Sequence, residues 1–299
     1  MLHWFWLIAL AAITMPPLAA ACERLAVVTG SNKGIGFEIA KKLTETPGYN
    51  VIIATRSAER GQAAVEALKG GPSSVSFKPL DISDPDSVEA FCGELSRDYP
   101  SGCHLLINNA SIAFKRNDVA PFAEQAEPTI NANVLGTVSV TQKLLPLLRK
   151  AGPDARVVTV ASMSGQASIV KDPKLKELLQ STGQETGGIA SKEELVALAT
   201  GFVSSVKSGT HQADGWPNTC YGVSKLLQIA YMKLLARLQG DKVLFVSCCP
   251  GHCITDMSSR SGNRTAEEGA RTPYWLATAE KAQLVNGGLY QDCTLKEWS

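Results

Sequence analysis

Tyr221 and Lys225 stand four positions apart, at the start of a segment whose apolar residues Leu226, Leu227, Ile229, Leu234 and Leu235 recur at helical spacing. The two side chains therefore share one helix face. A phenol with an ordinary pKa of about 10 is a poor acid at neutral pH unless a neighbouring cation stabilises its phenolate. Lys225 is placed to be that cation. Taken alone, the pair equally describes an ordinary amphipathic helix. Far upstream, the apolar run Val157-Val158-Thr159-Val160 ends at Ala161-Ser162, which puts a hydroxyl at a strand end.

A second constellation lies near the start of the chain. Leu25 to Val28 read as a strand buried on both faces, and Ile35, Ile39, Ala40 and Leu43 recur at helical spacing after Gly30, Gly34 and Gly36. At such a corner the first N–H groups of the helix lack internal partners and carry the positive end of the dipole, a seat for a pyrophosphate. The spacing is Gly-x-x-x-Gly-x-Gly, not the Gly-x-Gly-x-x-Gly of dinucleotide-binding dehydrogenases at large, so the mechanism is met and the letter is not. Further polar residues follow other apolar runs: Thr55-Arg56 after 51–54, Asp81-Ile82 after 75–77, and Asn108-Asn109-Ala110 after 105–107. An acid in the place of Arg56 would accept the ribose 2′-hydroxyl of NAD, whereas an arginine suits a 2′-phosphate. Lys33, inside the glycine turn, adds a second cation on that side. Each residue alone could be a solvated strand end; their agreement is what matters.

These positions need a scaffold that gathers strand ends. Apolar runs at 25–28, 51–54, 75–77, 105–107, 157–160 and 243–246 alternate with helical patterns, one opening at Ser83-Asp84-Pro85 and another covering Thr129 to Leu148. The pattern predicts an α/β fold with a doubly wound, mostly parallel sheet, which presents ligands at the carboxyl ends of its strands. A hydrophobic content of 44% over 299 residues can bury a large core. A net charge of +1 without basic runs leaves no footprint for nucleic acid. Eight irregularly spaced cysteines predict reduced thiols, and Cys248-Cys249-Pro250-Gly251-His252-Cys253 is not spaced for metal ligation. Residues 1–22 carry a ten-residue apolar run, too short to span a bilayer, and then small residues. They read as a signal-like segment, a retained membrane anchor, or an artefact of the start site, because no Lys or Arg precedes the run. The domain proper is expected over 23–299.

With these residues in place the chain resembles the short-chain dehydrogenase/reductase family, and within it the carbonyl reductases, over nearly all of Arg24 to Trp298. The carriers are Thr29 to Gly36, Asn108 to Ala110, Asn133, Ser162, Tyr221 to Lys225, and Pro250-Gly251 with Thr255-Asp256-Met257. The resemblance implies a Rossmann-like single domain that uses NADPH to reduce a small carbonyl substrate. Ser162 would hold the carbonyl oxygen and Tyr221 would donate the proton. Lys225 would lower the phenol's pKa and hold the nicotinamide ribose, and Asn133 would anchor a water of the proton relay. Cofactor contacts are expected from Gly30, Asn32, Lys33, Gly34, Ile35, Gly36, Arg56, Asp81, Ile82, Asn108, Ala110, Tyr221, Lys225, Pro250, Gly251 and Thr255, with no metal. Two alternatives stay open: an NADP-dependent alcohol oxidation, and a silent nucleotide-binding sensor or scaffold. Ser111 departs from the family's glycine and adds a side chain beside the cofactor. An insertion at about 168–217, with a capping box at Ser191 to Glu194, is expected to wall the substrate pocket and to cover the surface used for oligomerisation, leaving a monomer. Sequons at Asn109 and Asn263, the first inside the cofactor site, and free thiols beside the nicotinamide point to the cytoplasm.

Overall fold

The computed structural model describes residues 24–115 and 118–299, so the apolar segment 1–22 lies outside the described residues. The described residues begin with β1 (Arg24–Thr29), α1 (Gly34–Thr44), β2 (Tyr49–Thr55), α2 (Ala58–Leu68) and β3 (Ser74–Pro79), then α3 (Pro85–Asp98) and β4 (Leu105–Asn108). A long helical stretch follows as α4 (Phe122–Ile130), a π-helical turn (Asn131–Gly136) and α5 (Thr137–Lys150). After β5 (Arg156–Val160) come α6 (Pro173–Gln180), α7 (Lys192–Ser208), α8 (Cys220–Gln239), β6 (Leu244–Cys249), α9 (Ala266–Thr278), β7 (Leu289–Gln291) and β8 (Thr294–Lys296).

The eight strands form one sheet in the order β3-β2-β1-β4-β5-β6-β7-β8, parallel except for the β7–β8 hairpin. Side chains alternate along each strand, so Val27, Ile52 and Ala54 pack into one apolar layer while Ala26, Val28, Val51 and Ile53 pack into the other. Both faces are thereby dry. Each fully buried Val or Ile contributes about 1.5–3 kcal/mol, and this holds the strand ends in fixed register. One layer is closed by α3, α5 and α8, and the other by α1, α2 and α9.

Three differences from the sequence pattern have physical reasons. The helix expected from Thr129 starts at Phe122, because Pro128 reads as a stop and is instead accommodated inside α4. Its middle is a π turn containing Asn133, a local widening of the kind found at functional sites. Strands β7 and β8 are three residues each, too short to announce themselves by periodicity.

Candidate active site

The strand order turns back between β1 and β4, the place where such sheets open a crevice. There the two strand ends are clamped together. Thr29 Oγ1 accepts from the N–H of Asn109 at 3.0 Å and of Ala110 at 2.9 Å, while Asn109 Nδ2 donates to the carbonyls of Thr29 at 2.9 Å and Gly30 at 3.2 Å. The close approach demands glycine. Gly30 has φ +65°, and a Cβ on it would lie 2.9 Å from Ala110 Cα. A Cβ on Gly36 would run into Asn109 Nδ2 and lie 2.6 Å from the Gly30 oxygen. Asn32 Oδ1 accepts from Thr55 Oγ1 at 2.9 Å, tying the turn to β2.

The start of α1 is left open for an anion. Lys33 is extended there, gives no side-chain cap, and no acid occupies the first turn. Arg56 is exposed at the end of β2. Lys33 Nζ pairs with Asp256 at 2.7 Å, bridging the glycine turn to the segment after β6 that carries Pro250, Gly251 and Thr255. Asp81 Oδ1 accepts from the Ser83 amide at 3.0 Å and hydroxyl at 2.6 Å. The Asn108 side chain is turned inward, donating to Thr141 Oγ1 at 3.0 Å and Thr159 Oγ1 at 3.4 Å, so it braces the core instead of facing the crevice. Ser111 carries a buried hydroxyl with no hydrogen-bond partner among the described residues. Closely packed glycines, an uncapped helix start, flanking cations and that hydroxyl are a donor set that fits a dinucleotide phosphate.

On the other side of the crevice, Thr219 caps α8 by accepting from the Gly222 amide at 3.0 Å, which places Tyr221 in the first turn. Lys225, 2% exposed, donates to the Val160 carbonyl at 3.0 Å and to Gln228 Oε1 at 2.9 Å, with its Nζ 5.4 Å from the Tyr221 ring centre. Ser162 accepts from the Ser164 amide at 3.1 Å and donates to Ser164 Oγ at 3.2 Å. Burial pushes the Tyr221 phenol up to about 12, with Cys249 adding to the rise and the Ser162 hydroxyl opposing it. Burial also pushes Lys225 down to about 7, against the opposing pull of Cys248 and Cys249. Burial is thus the largest influence on both groups.

The family model for short chain dehydrogenase matches residues 24–173. The mouse protein named carbonyl reductase [NADPH] 1 is 41% identical over 280 residues, covering 92% of this chain and 98% of that one. Mouse carbonyl reductase [NADPH] 3 is 37% identical over 285 residues, covering 93% and 100%. The chain belongs to the short chain dehydrogenase family. Among solved structures, salutaridine reductase from Papaver somniferum superposes with a TM-score of 0.78 at 28% identity, covering 91% of this chain and 100% of that one.

Within this family site, Asn133 is engaged with the protein on both its side chain and its main chain. Oδ1 accepts from the Ile112 amide at 2.8 Å, and Nδ2 donates to the Ile112 carbonyl at 2.9 Å and Ser224 Oγ at 3.0 Å. Its carbonyl accepts from Thr137 Oγ1 at 2.7 Å and from Gln228 Nε2 at 2.6 Å. Sequence reasoning missed Gln228. The available signal was an amide three residues after Lys225, within a run of Leu226, Leu227 and Ile229 otherwise destined for the core. Among the described residues no group of three or more His, Cys, Asp or Glu side chains is placed to hold a metal.

Proposed function

We propose that this protein reduces ketones, aldehydes or quinones to alcohols with NADPH. The observation that carries the reading is the Tyr221 phenol at the head of α8 with Lys225 Nζ 5.4 Å from its ring centre. When bound, NADPH supplies the hydride. Gly30, Gly34, Ile35, Gly36 and the main chain of Asn108 and Ala110 shape its seat, with Asn32, Asp81 and Ile82 bracing the adenosine end and Pro250, Gly251 and Thr255 the other. Lys33 and Arg56 meet the 2′-phosphate. Ser162 donates to the carbonyl oxygen, and Tyr221 gives it a proton as negative charge develops, a contribution of roughly 10²–10⁴-fold. Lys225, when charged, holds the resulting phenolate. Asn133 positions the 111–112 segment and the π turn.

The test is to mix the purified protein with NADPH and a panel of quinones, aromatic aldehydes and ketones, and to follow the absorbance of the reduced cofactor. Consumption with at least one class is expected; tight NADPH binding with no consumption across the panel would make it a nucleotide-binding sensor.

Three finer points belong to the same proposal. The domain spans 23–299, with the insertion at 168–217 forming a wall of the substrate pocket. The insertion helix α7 packs on α4 and α8, is tied to α4 by the Lys207–Glu127 ion pair at 2.8 Å, and is braced within the insertion by Phe202 and Trp216, whose rings lie 5.4 Å apart, which supports a monomer. Light scattering at micromolar concentration should return the mass of one chain. The cytoplasm is supported by the free thiols of the described cysteines and by the Asn109 amide, whose two hydrogen bonds to the glycine turn a glycan would break. Fractionation that recovered the protein from the secretory pathway would overturn this.

A further inference from the structure

Between the Lys225 ammonium and the Asn133 carbonyl lies one side chain, the amide of Gln228, itself 2% exposed. Its oxygen accepts from Lys225 Nζ at 2.9 Å, and its nitrogen donates to the Asn133 carbonyl at 2.6 Å and to Thr137 Oγ1 at 3.0 Å. The orientation of the amide is fixed by chemistry, since an ammonium only donates and a main-chain carbonyl only accepts. The lysine is thus joined directly, through protein atoms, to the π turn that interrupts the long helix.

We propose that Gln228 is a positioning residue for the reaction: its amide fixes Lys225 beneath Tyr221 and fills the place where a water would otherwise link lysine and Asn133. This rests on the reading of Tyr221 as acid and Lys225 as its support. An amide differs from a water in what it transmits. To pass a proton from Lys225 it would have to accept one on oxygen and release one from nitrogen, forming an imidic acid next to a carbonyl that is a very weak base. Gln228 therefore conveys polarity and geometry, while the Lys225 proton stays where it is. The groups facing the ammonium are the Tyr221 phenol on its own helix, Cys248 and Cys249 of β6, and the Val160 carbonyl of β5. Burial holds the Tyr221 and Cys248 protons on at neutral pH. The neutral Gln228 dipole is then a principal local support for positive charge on Lys225.

Two substitutions test this. Gln228→Met keeps length and volume but removes the acceptor, and should lower kcat at least tenfold while NADPH affinity, read by fluorescence titration, changes less than threefold. Gln228→Glu places a carboxylate against the ammonium, and the pair keeps its shared proton to higher pH. The ionisation near neutrality in the kcat profile should move up by at least one pH unit. A readout without turnover accompanies it: urea unfolding of the cofactor-free protein at pH 7, 8.5 and 10. Wild-type stability should rise across this window relative to Gln228→Glu, because the Lys225 cost that rising pH relieves in the wild type is already offset by the carboxylate in the variant. This readout stands even if no carbonyl substrate is found, so failure of the functional reading is told apart from failure of the Gln228 assignment. If Gln228→Met does not fold, Gln228→Glu decides. A Glu variant with an unshifted kcat profile and a wild-type stability slope, or a folded Met variant with kcat within twofold of wild type, would overturn the proposal.

Discussion

The glycine turn between β1 and α1 and the head of α8 lie on the same edge of the sheet, but they are prepared for chemistry by different means. At the glycine turn the work is done by backbone shape, with the cations Lys33 and Arg56 exposed to water. At α8 it is done by titratable side chains drawn out of water, Lys225 fully and Tyr221 in part, and their proton affinities move far from ordinary values. Exposed charges keep ordinary behaviour and are screened by salt, so they suit recognition of a charged group. Buried ones are costly and tuned, which suits proton transfer. The two regions should therefore respond differently to substitution and to pH.

The largest effect is expected where shape decides. Gly36→Val drives a side chain into Asn109 and the Gly30 carbonyl, and should weaken NADPH binding by more than about 10³-fold, several kcal/mol at roughly 1.4 kcal/mol per decade. Fluorescence titration, with circular dichroism to check the fold, would detect it. Binding within tenfold of wild type would mean that the turn does not seat the cofactor.

Next comes the buried lysine. Its folded pKa of about 7 lies below the ordinary 10.5, so the unfolded chain binds more protons between these values and stability rises with pH across that window. Lys225→Met lacks this term. Relative to the variant, the wild type should gain about 3 kcal/mol in unfolding free energy between pH 7 and 10. Comparison with the variant also cancels the opposing effect of buried thiols such as Cys92 and Cys103, both pushed up to about 12 by burial. Parallel stability curves would place Lys225 in contact with water.

The exposed cations should give smaller, salt-sensitive effects. Arg56→Asp is expected to reduce the kcat/KM preference for NADPH over NADH by about ten- to a hundred-fold, the worth of one charge-assisted hydrogen bond of roughly 1.5–3 kcal/mol. A ratio that the substitution leaves unchanged would remove Arg56 from the nucleotide site. Smallest is Asp256→Asn, which frees Lys33 from an exposed ion pair and should tighten NADPH binding by about two- to threefold at low salt.

The contrast between the regions also explains what could be read in advance. The glycine turn and the strand ends were legible because backbone-driven features leave fixed residue types, glycine and β-branched runs, at fixed places. The parallel sheet followed from them. What stayed hidden depends on which neighbour a side chain meets. Nothing in the sequence says that Asn108 turns into the core toward Thr141 and Thr159, or that the Asn133 carbonyl is taken by a glutamine 95 positions away. A stripe of leucines likewise announces a helix face without saying that burial pushes the neighbouring Tyr221 phenol up.

The central claim is that Tyr221 delivers the proton while the glycine turn independently holds the cofactor. Tyr221→Phe separates the two in one experiment: NADPH affinity by fluorescence titration, and single-turnover reduction of the best carbonyl substrate on the same preparation. Affinity within about threefold of wild type together with a fall of roughly 10²–10⁴-fold in the reduction rate is predicted. Reduction at close to the wild-type rate by a variant that binds NADPH normally would contradict the account.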